Sequence, residues 1–93
     1  MSHPTDPDPV IDVPAELARV RAATYTGRDP EHLVTAVVDA DGVVVRIAFA
    51  STVGMRPLAL LERAVVVAVE AAQQQMNDAW RSLASRIPRE EAP

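Results

Sequence analysis

The sequence contains no cysteine and no lysine, and it has a single Phe, a single Tyr and a single Trp. Without cysteine, neither disulfides nor thiolate metal sites can form, which fits a reducing compartment. The core of this 93-residue chain must therefore be built mainly from Val, Ala and Leu. Such a chain holds one domain at most, and a second subunit would help to complete its small core.

An apolar run long enough to cross a bilayer is also absent from the sequence. The first residues have neither the basic segment nor the apolar segment of a signal peptide. We therefore expect a cytoplasmic protein with no membrane partner.

Charge is unevenly distributed along the chain. The formal net charge is −4, yet residues 14–87 carry eight Arg and eight acidic side chains. The surplus of acid lies in the terminal segments, so the total neither supports nor opposes a basic patch on the folded body. All residues counted as basic are Arg, which reflects either a GC-rich genome or a use for bidentate phosphate contacts.

The composition divides the chain into three parts. Residues 1–13 are rich in Pro and Asp and predict an extended, mobile arm. Residues 14–87 are predicted to form a single α+β domain that dimerises, and residues 88–93 a disordered tail. The domain opens with a short helix, for which Pro14 suits the first position. The β-branched and aromatic residues around Tyr25 predict a short strand, which we expect to end at the following glycine.

Two Val-rich runs, residues 33–40 and 43–50, are joined by Asp41-Gly42, a pair typical of a tight β-hairpin. Both faces of these two strands are largely apolar. One face must meet a helix, and the other also needs a cover that the chain has little left to provide.

Residues 57–87 predict one long amphipathic helix, because apolar side chains recur there at steps of three and four. Such a helix is ~46 Å long, whereas an eight-residue strand spans only ~26 Å. The part beyond the sheet carries Met76, Trp80, Leu83 and Ile87, which would lie in water in a single chain. We therefore predict a homodimer with these four residues at its interface, although Trp80 could instead be an exposed stacking platform.

Side chains suited to catalysis or metal binding do not cluster in the sequence. His3 and His32 are far apart, and three isolated glycines form no phosphate-binding loop. Asp39 and Asp41 flank the hairpin tip, where side chains usually bond to their own backbone. We therefore expect no enzymatic activity, no cofactor, no metal and no small-molecule substrate.

Arg residues are the better candidates for a binding surface. Arg81, Arg86 and Arg89 follow Asp78 without an intervening acid, at the end of the long helix. They either complement the helix dipole or form a phosphate-contacting patch that a dimer would double. Arg46 is the only charge within an apolar strand, and it is either an edge-protecting charge or part of a binding face.

The order of these features resembles the YbaB/EbfC family. The resemblance covers roughly residues 20–84 and rests on the strand end Thr26-Gly27, the run at 33–38, the pair Asp41-Gly42, the following strand, and the helical segments at 60–62 and 71–79. It implies an α-β-β-β-α fold of the α+β class, with a three-stranded antiparallel sheet and a long C-terminal helix. It also implies an intertwined homodimer and nucleoid-associated DNA binding.

Three features depart from the family pattern. Pro14 restricts the first helix to about ten residues, where the family has a long one. His32 ends the turn before the second strand, where the family usually has Gly. The Asp-Pro that commonly follows the third strand is replaced by residues 50–52.

The leading prediction is a cytoplasmic, nucleoid-associated homodimer that binds DNA with little sequence preference. Its predicted DNA contacts are Arg46, Arg81, Arg86 and Arg89. The alternative is a protein-interaction role without DNA, such as a scaffold or chaperone-like accessory protein. The resemblance allows this role too, because actinobacterial relatives occur at type VII secretion loci.

Overall fold

A computed structural model of the chain describes residues 12–87. They form an α+β fold in the order α-β-β-β-α, which confirms the prediction, with an antiparallel sheet in the strand order β1-β2-β3. The elements are α1 (Val13–Ala22), β1 (Tyr25–Arg28), β2 (Val34–Val38), β3 (Val44–Phe49), a 3-10 turn (Val53–Met55) and α2 (Leu58–Arg86).

The first helix begins before Pro14. Asp12 caps it, because its carboxylate accepts a hydrogen bond from the N–H of Ala15 at 3.2 Å, and Val13 is the first helical residue. Residues 12 and 13, which the sequence assigns to a mobile arm, therefore belong to the folded part. The rest of that arm, and the tail predicted at 88–93, lie outside the described residues.

Helix α2 lies across β1 and β2 on a stripe of small residues, Ala64, Ala68 and Ala72, which are buried against the sheet. A Cβ atom on Gly27 would lie 2.2 Å from the backbone nitrogen of Ala72, so the backbone of α2 touches β1. Gly27 lies inside β1, and the prediction that it ends the strand is wrong. A strand position against a helix backbone has no room for a side chain.

The hairpin between β2 and β3 forms as predicted, with a turn that spans residues 39–43 and includes Gly42. Gly42 adopts a φ of +84°, in the left-handed region that glycine enters freely. The carboxylate of Asp39 accepts hydrogen bonds from the N–H groups of Asp41 at 2.9 Å and Val43 at 3.0 Å. His32 has a φ of +58°, a conformation that favours glycine over most side chains.

A β-bulge in β3 changes which residues share a face of the sheet. Val37 pairs with Arg46, whereas the next residue, Val38, pairs with Val44. Val45 is the extra residue that this register shift leaves over. Strict alternation would place Val44 on the same face as Arg46, but the bulge moves it to the face that meets α2.

The C-terminal part of α2 is covered within one chain. Helix α1 packs against α2, and Val20 and Leu83 are only 1% and 2% exposed. The indole Nε1 of Trp80 donates a hydrogen bond to the carbonyl of Ala40 at 2.9 Å, which fastens α2 to the end of β2. The part of α2 that extends beyond the sheet is therefore covered by α1 and the hairpin.

All four residues predicted at the dimer interface are at least partly buried in the single chain. Met76 packs partly against the core, and Ile87 is half-buried at the end of α2. The expectation that these side chains would lie in water is wrong, because it compared α2 with the sheet alone and left out α1. Their contact with a second copy stays a prediction.

Exposed apolar side chains lie instead between α2 and the edge strand β3. Met76 lies beside Gly42 at the hairpin tip, so the flank of α2 that carries Met76 also faces β3. We call these two flanks together the apolar groove; its residues are Leu58, Val65 and Val69 of α2 and Val44, Ile47 and Phe49 of β3. Val65, Val69 and Ile47 are partly buried against the core, whereas the other three are exposed. Phe49 is 53% and Leu58 71% exposed, because α2 packs mainly on β1 and β2.

Candidate nucleic-acid interface

The face of the sheet that points away from α2 is small and polar. Alternate residues of β2 are buried against α2, so the residues between them point the other way. Residues of β1 and β3 that pair with these outward-pointing residues of β2 lie on the same face. We call this surface the open sheet face; its residues are Thr26, Arg28, Thr35, Val37, Arg46 and Ala48.

Both Arg residues of the open sheet face are exposed. Within residues 12–87, neither Arg28 nor Arg46 takes part in an ion pair. The open sheet face as defined includes no acidic residue. Two of its six residues, Val37 and Ala48, are apolar, so this face is less apolar than the sequence pattern suggested.

The Arg residues near the end of α2 have a different environment. Arg81 forms an ion pair with Asp78 at 3.4 Å, and Arg86 forms one with Glu16 of α1 at 3.1 Å. Glu16 also pairs with Arg19 at 2.9 Å. The hydrogen bond from Arg19, with that from Arg86, holds the pKa of Glu16 below its usual range. These guanidinium groups therefore already have carboxylate partners.

The predicted DNA contacts thus fall on separate parts of the molecule. Arg46 lies on the open sheet face, whereas Arg81 and Arg86 lie on the part of α2 that extends to α1. Arg89 lies outside the described residues. Sequence reasoning missed Arg28, which shares a face with Arg46 only through the strand register.

Asp29, directly after Arg28, holds the turn between β1 and β2. Its carboxylate is buried, with 4% of the residue exposed, and accepts hydrogen bonds from the N–H groups of Val34 at 2.7 Å and Glu31 at 3.1 Å. Burial by itself raises the pKa of Asp29, but backbone hydrogen bonds outweigh it and hold the pKa below its usual value. The fixed carboxylate of Asp29 therefore positions the end of β1.

Asp29→Asn is expected to lower the free energy of unfolding by about 1–3 kcal/mol at neutral pH, because an amide leaves one buried N–H without an acceptor. Since the folded-state pKa is depressed, the carboxylate stabilises the fold above about pH 4 and loses this effect as the pH falls. Urea unfolding at pH 7 and pH 3 should show the difference from wild type shrinking in acid. Asp41→Asn, at an exposed turn position, is the control; an equal loss there would contradict the role of Asp29.

A model of the YbaB/EbfC DNA-binding family matches residues 15–89. The chain belongs to this family. The match runs from α1 past the end of α2 and confirms the resemblance drawn from the sequence. Comparisons with curated proteins and with solved structures found no match.

The family match includes Arg28 and all four predicted DNA contacts. Among residues 12–87 of this YbaB/EbfC family member, no helix is long and apolar enough to cross a membrane. The same part of the chain contains no group of three His, Cys, Asp or Glu residues that could hold a metal ion. Its exposed Arg side chains are the groups suited to contacting nucleic acid.

Proposed function

We propose that this YbaB/EbfC family member is a nucleoid-associated homodimer that binds DNA with little sequence preference. The observation that carries the proposal is the match of a DNA-binding family model to residues 15–89. The proposed contacts include Arg46, Arg81, Arg86 and Arg89. Arginine suits this role because its planar guanidinium group binds a phosphate through two parallel hydrogen bonds.

The placement of the Arg residues supports binding without base recognition. Arg46 lies on a sheet face and Arg81 and Arg86 on a helix end, so they do not line one helix that could enter the major groove. Contacts to phosphate oxygens position a protein on DNA without reading its sequence. Binding of this kind is driven by counterion release and weakens as salt rises.

A second copy of the chain is the proposed occupant of the apolar groove. The groove exposes Phe49 and Leu58, and β3 is an edge strand of the sheet described by residues 12–87. Exposed apolar surface and unpaired strand edges are both typical of contact surfaces. In a twofold dimer each copy offers the same groove and the same edge to the other, so one contact covers both.

Titration with two unrelated DNA duplexes over a range of salt concentrations tests the proposal. We expect equal affinity for the two duplexes, weakening at least a hundredfold between ~50 and ~200 mM salt, because the contacts of one chain alone account for about four phosphates. Light scattering on the protein without DNA should give twice the mass of one chain.

The two parts of the proposal can fail separately. Absence of binding to both duplexes at low salt would overturn DNA binding. A dimer that binds no DNA would support the protein-interaction role instead. The mass of a single chain at micromolar concentration would overturn the homodimer.

A further inference from the structure

We infer that the open sheet face is the main phosphate-contacting surface, and that Arg28 acts there together with Arg46. This inference rests on the proposed DNA binding and names the surface that carries it. Arg28 is thereby assigned a binding role that the sequence pattern did not suggest. The Arg residues at the C-terminal end of α2 are then secondary phosphate contacts.

The strand register fixes the spacing of the two guanidinium groups. Arg28 pairs with Thr35 and Arg46 pairs with Val37, so the two Arg residues lie on the two outer strands, diagonally across β2. Two strand spacings and a two-residue offset place their Cα atoms about 12 Å apart. Their long side chains can therefore reach different phosphates of one duplex, with the surface between them kept flat by small residues.

The side chains around the two Arg residues also suit a polyanion. Thr26 and Thr35 add hydroxyl groups, which donate hydrogen bonds to phosphate oxygens. None of the six residues of the open sheet face is acidic. The next residue in the same alternation along β2 is Asp39, whose carboxylate accepts hydrogen bonds from the N–H groups of Asp41 and Val43 in the turn. The protruding backbone of a duplex can reach this face because no described helix packs on it; α2 lies on the opposite side.

The guanidinium groups of the open sheet face and those at the end of α2 differ in whether they form ion pairs. Arg81 and Arg86 must give up ion pairs with Asp78 and Glu16 before they bind a phosphate, and those carboxylates repel the DNA. Arg28 and Arg46 give up no ion pair with any residue from 12 to 87. At equal exposure, the unpaired groups therefore gain more from a phosphate contact.

The test compares four double variants in the salt titration. Arg28→Gln with Arg46→Gln should weaken binding at least tenfold at ~100 mM salt and reduce the salt slope by about 2 for each bound chain. Arg21→Gln with Arg63→Gln removes the same charge from exposed helical positions that, within the described residues, also form no ion pair. This control should keep the wild-type slope. Arg28→Lys with Arg46→Lys should keep the slope of wild type.

The outcomes distinguish this inference from the proposed function. If wild type binds no DNA at low salt, DNA binding itself fails. If wild type binds and the Gln variant of the open sheet face keeps both affinity and slope, the inference is overturned while DNA binding stands. A loss of slope in Arg81→Gln with Arg86→Gln, larger than that in the sheet variant, would place the main contact on α2 and overturn it too. Circular dichroism and light scattering confirm that each variant keeps its fold and mass.

Discussion

Replacing Gly27 by alanine is expected to destabilise the fold by about 3 kcal/mol or more, at the upper end of what overpacking a core costs. The added methyl group would lie 2.2 Å from the backbone nitrogen of Ala72 and 2.5 Å from the carbonyl oxygen of Ala68. Both atoms belong to the backbone of α2, so no side-chain rotation relieves the clash. The helix must move away from β1, and the buried Ala stripe would lose its contacts. Urea unfolding followed by circular dichroism measures the loss.

Gly54→Ala is the matched control, because a Cβ atom there would have no neighbour within 4 Å. The same substitution should therefore leave stability within about 0.5 kcal/mol of wild type. A Gly27→Ala protein as stable as the Gly54→Ala protein would show that α2 does not approach β1 as closely as the structure has it. A large loss in both variants would point to a general effect of glycine replacement and would contradict the argument from packing.

The elements of the fold could be predicted from short-range patterns in the sequence. Asp41-Gly42 predicted the hairpin, because its turn needs a left-handed residue that glycine supplies. The apolar period predicted α2, because an amphipathic helix follows from residue spacing alone. The position of Gly27 in β1 was predicted wrongly, because the residue that leaves no room for a side chain there is Ala72, which is distant in sequence. No pattern around Gly27 reveals that neighbour.

The candidate site could be predicted only in part, for a similar reason. Arg46 stood out as a lone charge in an apolar strand, which is visible in one line of sequence. Arg28 follows the glycine at which the strand was expected to end, and it became part of the same face only because β1 extends to residue 28 and pairs with β2. The bulge at Val45 also depends on pairing. Register is set by contacts between strands, and one sequence alone does not fix it.

Leu83→Ala is expected to lower the free energy of unfolding by about 2–5 kcal/mol, the usual cost of removing a fully buried leucine side chain. Leu83 is 2% exposed in a single chain, and Val20 of the adjacent α1 is 1% exposed. The variant should thus lose stability by opening a cavity between α1 and α2. It should still have the mass of a dimer wherever it remains folded.

The contrasting variant carries Phe49→Ser and Leu58→Ser in the apolar groove. Both side chains are more than half exposed, so their loss removes little of the core of one chain, but it removes apolar contact area from the proposed dimer. We expect the mass to fall to that of one chain at low micromolar concentration, measured by sedimentation, with the helical circular dichroism retained. If Leu83→Ala instead dissociates a dimer that the groove variant leaves intact, the interface lies at the end of α2, where the sequence first placed it. The two candidate interfaces predict opposite results: the groove variant dissociates the dimer if the copies meet at the apolar groove, and Leu83→Ala dissociates it if they meet at the end of α2. Mass measurements on both variants therefore decide which surface joins the copies.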